Sequence, residues 1–558
     1  MPQTLGPRAS LDTLKKDAKR WLKTLREGDA GAAERLRAAW PHAPARPTLR
    51  EVQQALAREH GFASWAALKE ELADRALAAM SSAELAAIVL RGAWDDGDRA
   101  AAARIARKHP ELARHSVHTA VAFGDLDEVR RRLADDPAAA RQKGGPKQWE
   151  PLLYLAYSRL PLPGVEANAL EMATLLLDHG ADPNAWFNDG WDNAFTVLTG
   201  VIALGEGIRP PHPRDRELAA LLIKRGADPY DTQTLYNTSI VDDDPYWLEF
   251  LWRHSAARGS EGRWASTREK SLGGAKMSTL DYLLGNAVAS NHFARAEWLL
   301  VHGADPNGRN AYSKRPHHEV AQLQGSAEIA ALLERHGARP VRLAGQLAFH
   351  ALCMRMDEAG ARRLIAQHPA YLRDPSPLLY AARQNRTDVL RLALDLGLPV
   401  DLAMPNGQRA LHEAAGAGAL EAIRLLIDAG ADIDKRGGDY QATPLGHGVF
   451  WKNRAVIDLI APLSRDPHEL AWAGRAERLR TVLAEQPALA DARNPRGMTP
   501  LFTLPDDEEA AVQVVEVLLD FGADRGARNA EGETPEQAAR RRGLDEVVEL
   551  LAAGVRRG

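Results

Sequence analysis

The chain reads as an all-α repeat solenoid: stacked helix–turn–helix units joined by short β-hairpin or turn fingers, with a helical cap at the N-terminus. Three observations predict this. One line recurs: LLLDHGADPNA ending at Ala185, LLIKRGADPY at Tyr230, LLVHGADPN at Asn307, LLIDAGADID at Asp434 and LLDFGADRGAR at Arg528. Each is an amphipathic helix stopped by a glycine able to adopt left-handed backbone, then a turn containing Asp. The spacing is regular: 34 residues from Gly303 to Gly337, 33 from Gly397 to Gly430 and 32 from Gly522 to Gly554. A matching first-helix line is also present, as RALHEAA (Arg409 to Ala415), ATPLGHG (Ala442 to Gly448), MTPLF (Met498 to Phe502) and ETPEQAA (Glu533 to Ala539).

Residues 1–75 carry no repeat. Ser10 is positioned to cap a helix whose Leu11, Leu14, Ala18, Trp21, Leu22 and Leu25 share one face. A second helix is predicted through Ala32 to Trp40, ending at Pro41. A third, LREVQQALAREH, follows Pro47 and closes at Gly61; the last follows Ser64. A terminal repeat would expose its apolar stacking face, so such a module is expected to cap the array. The first fifty residues hold eleven Lys or Arg against five Asp or Glu. That excess fits either a solvated face or an electrostatic docking patch.

Beyond a helical connector through Trp94, second-helix endings mark about fourteen pairs. In two of them, LAEQP (Leu483 to Pro487) and IAQHP (Ile365 to Pro369), a proline replaces the glycine stop, and no full finger is expected there. Between Gly180 and Gly303 the spacing stretches to 46 and then 77 residues. The insertions are GEGIRPPHPRD, YDTQTLYNTSIVDDDPYW and ARGSEGRWASTREKSLGGAK. Insertions in repeat chains gather as loops on one face, often the binding face. The predicted division is a cap (1–75), degenerate repeats with insertions (76–340) and more regular repeats with an arginine-rich C-terminal cap (341–558).

Composition excludes several classes. A net charge of −4 with 26% charged residues argues against a chain built to neutralise phosphates. The single cysteine, Cys353, excludes an internal disulfide framework and fits a reducing compartment. No apolar run approaches the roughly 20 residues that span a bilayer, and the start lacks the apolar segment of a secretory signal. The expectation is a cytoplasmic monomer that binds neither membrane nor nucleic acid. The excess of Arg over Lys, with abundant Ala, fits a GC-rich bacterial genome.

Candidate sites are few. Residues 149–312 hold seven of thirteen Trp and seven of ten Tyr. These rings either pack the insertions against the stack or form a ligand surface, since Trp and Tyr dominate interface hot spots. Trp186 and Trp191 follow a GADPN turn and are expected on or beside a fingertip. With Tyr236, Trp247 and Trp252 they are the expected partner contacts. Asp242-Asp243-Asp244 before Pro245 fits helix N-capping better than a cation loop, which needs about six oxygens spread along a turn. His115 with His118, and His317 with His318, lack a third ligand, so no metal is expected. His412 is expected to bond a neighbouring loop, and Cys353 to be a small buried residue. GGPK (Gly144 to Lys147) could form a small anion nest. No phosphate-cradling GxxxxGK[ST], CxxC pair, HExxH or GxSxG occurs. No cofactor and no catalytic residue is expected.

The GADPN and TPL/ALHEAA lines resemble the ankyrin repeat family over roughly residues 95–558. More narrowly, LKKDAKRWLKTLREGD, LAREHGFASWAALKEEL, KGGPKQWEPLLYLAYSRL and PPHPRDRELAALLIKRGADPYDTQTLYN resemble bacterial ankyrin proteins with a short N-terminal helical module. The resemblance implies stacked helical hairpins, projecting fingers and non-catalytic protein binding. The expected function is an intracellular scaffold holding a protein or peptide on its concave face and insertions. The alternative is a small-ligand receptor or enzyme with a pocket walled by the insertions between Gly180 and Gly303.

Overall fold

A computed structural model describes residues 5, 10–44, 47–94, 99–188, 194–204, 210–267 and 276–552. Two compact units emerge. Unit 1 holds residues 1–241 and 246–261; unit 2 holds residues 242–245 and 262–558.

Unit 1 opens with the four predicted helices, Leu11–Arg26, Ala30–Ala39, Leu49–Glu59 and Trp65–Ala78. Their starts are set by side-chain caps. Ser10 accepts from Thr13 N, Asp29 from Ala32 N and Ser64 from Ala67 N, while Thr48 and Glu51 form a reciprocal capping box. Leu14, Ala18, Trp21 and Leu22 are buried along one face, as the periodicity requires. Trp21 also donates from Nε1 to Ala32 O (3.0 Å) and lies under the Arg35 guanidinium (3.9 Å). That guanidinium in turn holds Glu59. Part of the N-terminal positive charge is therefore spent on holding the module together.

Helices Ser82–Gly92 and Arg99–Lys108 lead into the repeats. Fourteen helix pairs can be counted among the described residues, five in unit 1 and nine in unit 2; in one of them a 3-10 turn, Pro500–Phe502, stands for the first helix. Gly180, Gly226, Gly303, Gly337, Gly397, Gly430 and Gly522 all end second helices with φ between 83° and 109°. An L side chain there would meet its own backbone, which is why glycine recurs.

The proline-ended pairs run instead into 3-10 turns, Pro110–Arg114, Pro137–Arg141, Pro369–Arg373 and Pro487–Asp491. After Pro110–Arg114 and Pro369–Arg373 the chain enters the next helix, at Val117 and Ser376, without a hairpin. After the other two a turn survives, closed by the Gly144↔Trp149 bridge and by Asn494 N donating to Met498 O, so the expected loss of the finger after Pro487 does not occur.

The GADPN asparagine joins neighbours. In unit 1 Asn184 donates to Gly226 O (3.1 Å) and accepts from Asp228 N (2.8 Å). In unit 2 Asn307 repeats both bonds with Gly337 O (3.1 Å) and Arg339 N (2.9 Å). Where the asparagine is missing, an aspartate takes over: Asp401 accepts from Asp432 N, Asp434 from Arg465 N and Asp491 from Asp524 N. Backbone groups that a turn would leave unpaired are thereby satisfied by the preceding repeat. Among the described residues no helix is long and apolar enough to cross a membrane.

Candidate functional site

The aromatic residues of the 149–312 region divide between core and surface. Trp149, Tyr154, Tyr157, Tyr230, Trp264 and Tyr282 are buried. In unit 1 Trp149 packs on Tyr154 (5.4 Å between ring centroids), Tyr157 (5.3 Å) and Phe187 (4.4 Å). The GGPK turn wraps the Tyr154 hydroxyl, which donates to Gly144 O and accepts from Lys147 N. That turn is built around a ring, and the anion-nest reading is replaced by a packing role. Arg159 serves the same core. Its guanidinium donates to the carbonyls of Ala156, Ser158, Gly200 and Pro210 and stacks on Trp94 (5.3 Å). Burial lowers its pKa to about 10. Two of the segments marking the narrower resemblance, the one with Trp149 and the one that starts at Pro210, therefore meet in unit 1.

The five expected contact residues fall in different places. Trp186 lies on the strand Trp186–Asn188, which pairs antiparallel with Ala194–Thr196. Alternation along the strand sends Phe187 inward and leaves Trp186 56% exposed. Trp191 lies outside the described residues. Tyr236 is half-buried on helix Thr232–Thr238; Trp247 and Trp252 are half-buried on helix Tyr246–Ala257. Trp247 meets the rings of Tyr246 (4.9 Å) and Phe250 (5.6 Å).

Other polar candidates have structural partners. Asp243 does cap a helix, one fifty residues downstream: its carboxylate accepts from Ala294 N (3.1 Å) and Arg295 N (3.0 Å). His118 bonds Gln142 O (2.8 Å), and His318 bonds Glu334 (2.8 Å) and accepts from Val341 N. His412 reaches Ala442 O (3.2 Å) in the next finger, as its place in the repeat predicts. Cys353 is fully buried and burial pushes its thiol pKa up to about 12, which removes the thiolate needed for chemistry. No group of three His, Cys, Asp or Glu able to hold a metal ion occurs among the described residues. A cavity of about 330 Å³ lies in unit 1 beside Ser116, His118, Arg131 and Lys143, apart from the Gly180–Gly303 insertions.

Among the described residues the most conspicuous exposed apolar surface is in unit 2. Phe450 and Trp451 are each 64% exposed at the end of helix Pro444–Phe450, with their rings edge-to-face at 5.1 Å. Tyr440, on the finger before that helix, is 77% exposed. Side-chain contacts run without interruption across the first helices of four successive repeats. Tyr380 on Ser376–Arg383 meets His350 on Gly345–Met354 (4.8 Å). Arg383 donates to Glu413 on Ala410–Ala417 (2.7 Å). A Cβ on Gly416 would stand 3.3 Å from His447 Nδ1 and 4.0 Å from Trp451 Nε1. Gly416 and the exposed Ala417 after it thus leave a low floor beside Trp451. Beside that floor burial lowers the His447 pKa against the pull of Glu413.

Counting within the repeat would have found this pair. Phe450 and Trp451 stand seven and eight residues after Thr443, where the preceding repeat has Gly416 and Ala417 after Arg409. The repeat accepts glycine and alanine at these positions, so large rings there are not needed for stacking.

The repeat geometry agrees with known proteins. The family model for ankyrin repeats (three copies) matches residues 349–437. Over 119 residues the chain is 34% identical to cyclin-dependent kinase 4 inhibitor B of Rattus norvegicus, an alignment covering 19% of this chain and 87% of that protein. The chain belongs to the ankyrin repeat family. This ankyrin protein is also 27% identical over 194 residues to the ankyrin repeat protein YahD of Escherichia coli (strain K12), covering 32% of this chain and 96% of that one. It is similar as well to the crystal structure of an ankyrin repeat domain from Acinetobacter baumannii AYE, with 25% identity, 32% of this chain and 98% of that chain covered, and a TM-score of 0.25. Ankyrin repeats generally mediate protein–protein interaction, and the family is generally non-catalytic.

Proposed function

We propose that this ankyrin protein is a non-catalytic interaction scaffold, and that unit 2 holds a protein or peptide segment on the first helices from Gly345 to Trp451. The observation that carries the reading is the solvent-facing Phe450–Trp451 pair beside the Gly416–Ala417 floor. Buried apolar area supplied by rigid rings is the usual source of hot-spot energy. A preformed stack also loses little conformational freedom on binding. In unit 1 Trp186 is the corresponding exposed ring on a finger, while Tyr236, Trp247 and Trp252 offer only part of their surface. The name of the rat relative identifies it as an inhibitor of cyclin-dependent kinase 4, which supports the same class of function here.

The test is affinity capture from lysate with the full chain, the Phe450→Ala/Trp451→Ala variant and the Trp186→Ala variant, each confirmed folded by circular dichroism. A protein retained by the wild type and lost from the Phe450/Trp451 variant supports the reading. Equal recovery by all three chains refutes it.

A further inference from the structure

We infer that the segment bound by unit 2 is acidic: a peptide that places an aromatic or long aliphatic anchor beside aspartate or glutamate. The inference rests on the proposed binding role of the same surface and adds the chemistry of its occupant.

Cations line the edge of that surface. Arg355 ends helix Gly345–Met354, Arg383 is the last residue of Ser376–Arg383, and Lys452 follows Trp451. Arg355 and Lys452 are exposed and form no ion pair among the described residues. Arg383 gives Nε and Nη2 to Glu413. Its side chain stays 66% exposed while that of Glu413 is 13% exposed, so the pair shows mainly its positive partner to solvent.

Of the acids in these repeats, Asp388 is paired with Arg386 (2.7 Å), Asp458 with Arg475 (2.5 Å) and Glu421 with Arg424 (3.7 Å), while Asp439 accepts from Asn406 Nδ2 (3.0 Å). A cation at a helix C-terminus has a plain structural use, since it offsets the helix dipole. That use explains each position singly. It does not explain why Arg355, Arg383 and Lys452 accompany Tyr380, Phe450 and Trp451 along one run of contacting helices.

An acidic segment would gain in two ways. Its anchor ring would remove the exposed faces of Phe450 and Trp451 from water over the Gly416–Ala417 floor. Its carboxylates would meet Arg355, Lys452 and the open side of Arg383, where charge complementarity selects the partner and speeds encounter. Basic segments would be repelled by the same edge.

A yeast-displayed library of random twelve-residue peptides, sorted against the full chain, tests the inference. The controls are Phe450→Ala/Trp451→Ala and the charge reversal Arg355→Glu/Lys452→Glu. Enriched peptides are expected to carry Asp or Glu beside an aromatic residue or Leu. Their binding should vanish with the first control, fall at least tenfold with the second at 50 mM salt, and lose most of that difference at 500 mM. Peptides that need Phe450 and Trp451 but show no acidic bias, and that ignore the charge reversal, would overturn the inference and leave the scaffold reading standing. If no peptide separates wild type from the Phe450/Trp451 variant, both fall. A twenty-residue poly-uridine oligonucleotide that outcompetes the acidic peptides, and is lost on charge reversal, would overturn the inference in favour of nucleic acid.

Discussion

Replacing His317 by leucine should stabilise unit 2, and more so in acid. His317 is fully buried, and neither ring nitrogen has a hydrogen-bond partner. It is closely surrounded: a Cβ on Gly308 would stand 2.9 Å from its Nε2, and one on Gly285 would stand 3.2 Å from its Cε1. A buried polar atom without a partner costs about 1–3 kcal/mol, so leucine, of similar bulk, should gain roughly that much at pH 7.5. Burial also lowers the His317 pKa to about 4, against the opposing pull of Asp281 and Asp305. The folded state thus resists the proton that the unfolded chain accepts near 6.5. This residue's contribution is complete above pH 6.5 and is lost as pH falls towards 4. By linkage, the wild type should lose about 2–3 kcal/mol at pH 4.5 that the leucine variant keeps. A global melt would merge the two units, so the assay is hydrogen exchange in helices Thr279–Ala289 and His317–Leu323, corrected for intrinsic rate at each pH. Lower protection in the variant at pH 7.5, or a gap that does not widen in acid, would refute the reasoning.

Three further outcomes are expected. Gly200→Ala would place a Cβ 2.2 Å from the Tyr157 ring, so despite alanine's better helix propensity it should destabilise unit 1 by about 1–3 kcal/mol, seen as faster hydrogen exchange in helix Val197–Ile202. Asn307→Ala removes bonds to Gly337 O and Arg339 N and should cost about 1–2 kcal/mol, seen as faster exchange at the 337–339 turn. Cys353 should resist iodoacetamide at pH 8 in the folded chain and react fully in urea; rapid native labelling would contradict its burial.

The fold was largely legible because its determinants are local. Ser10, Asp29, Thr48 and Ser64 begin helices as their chemistry requires, and the glycine stops adopt the left-handed backbone that the period demands. The candidate surface was less legible. Trp149, Tyr154 and Tyr157 resemble ligand contacts in composition, yet long-range packing turns them inward, with Phe187 closing on two of them and Arg159 reaching Pro210. One residue of strand register separates half-buried Phe187 from exposed Trp186, and composition carries no such information. Asp243 shows the same limit: its capping role could be read from its side chain, but the helix it caps lies fifty residues away.

The positions that tie neighbouring repeats together are largely not those that carry the exposed rings, and that separation supports the proposed binding role. Neighbouring repeats are tied through turns and fingers. Asn184, Asn307, Asp401, Asp434 and Asp491 bond the next repeat's backbone, while Arg309 and Arg436 close their own fingers on Lys314 O and Gln441 O. A repeat array depends on just such nearest-neighbour terms. The outward residues at the last turn of the first helices differ from repeat to repeat: Arg383, which pairs with Glu413 of the next repeat, then Gly416 and Ala417, then Phe450 and Trp451. Two large rings held in water serve no fold that already accepts glycine and alanine at the same places. On the proposed reading the Phe450→Ala/Trp451→Ala variant should lose its partner while keeping wild-type hydrogen-exchange protection across unit 2 to within about 0.5 kcal/mol.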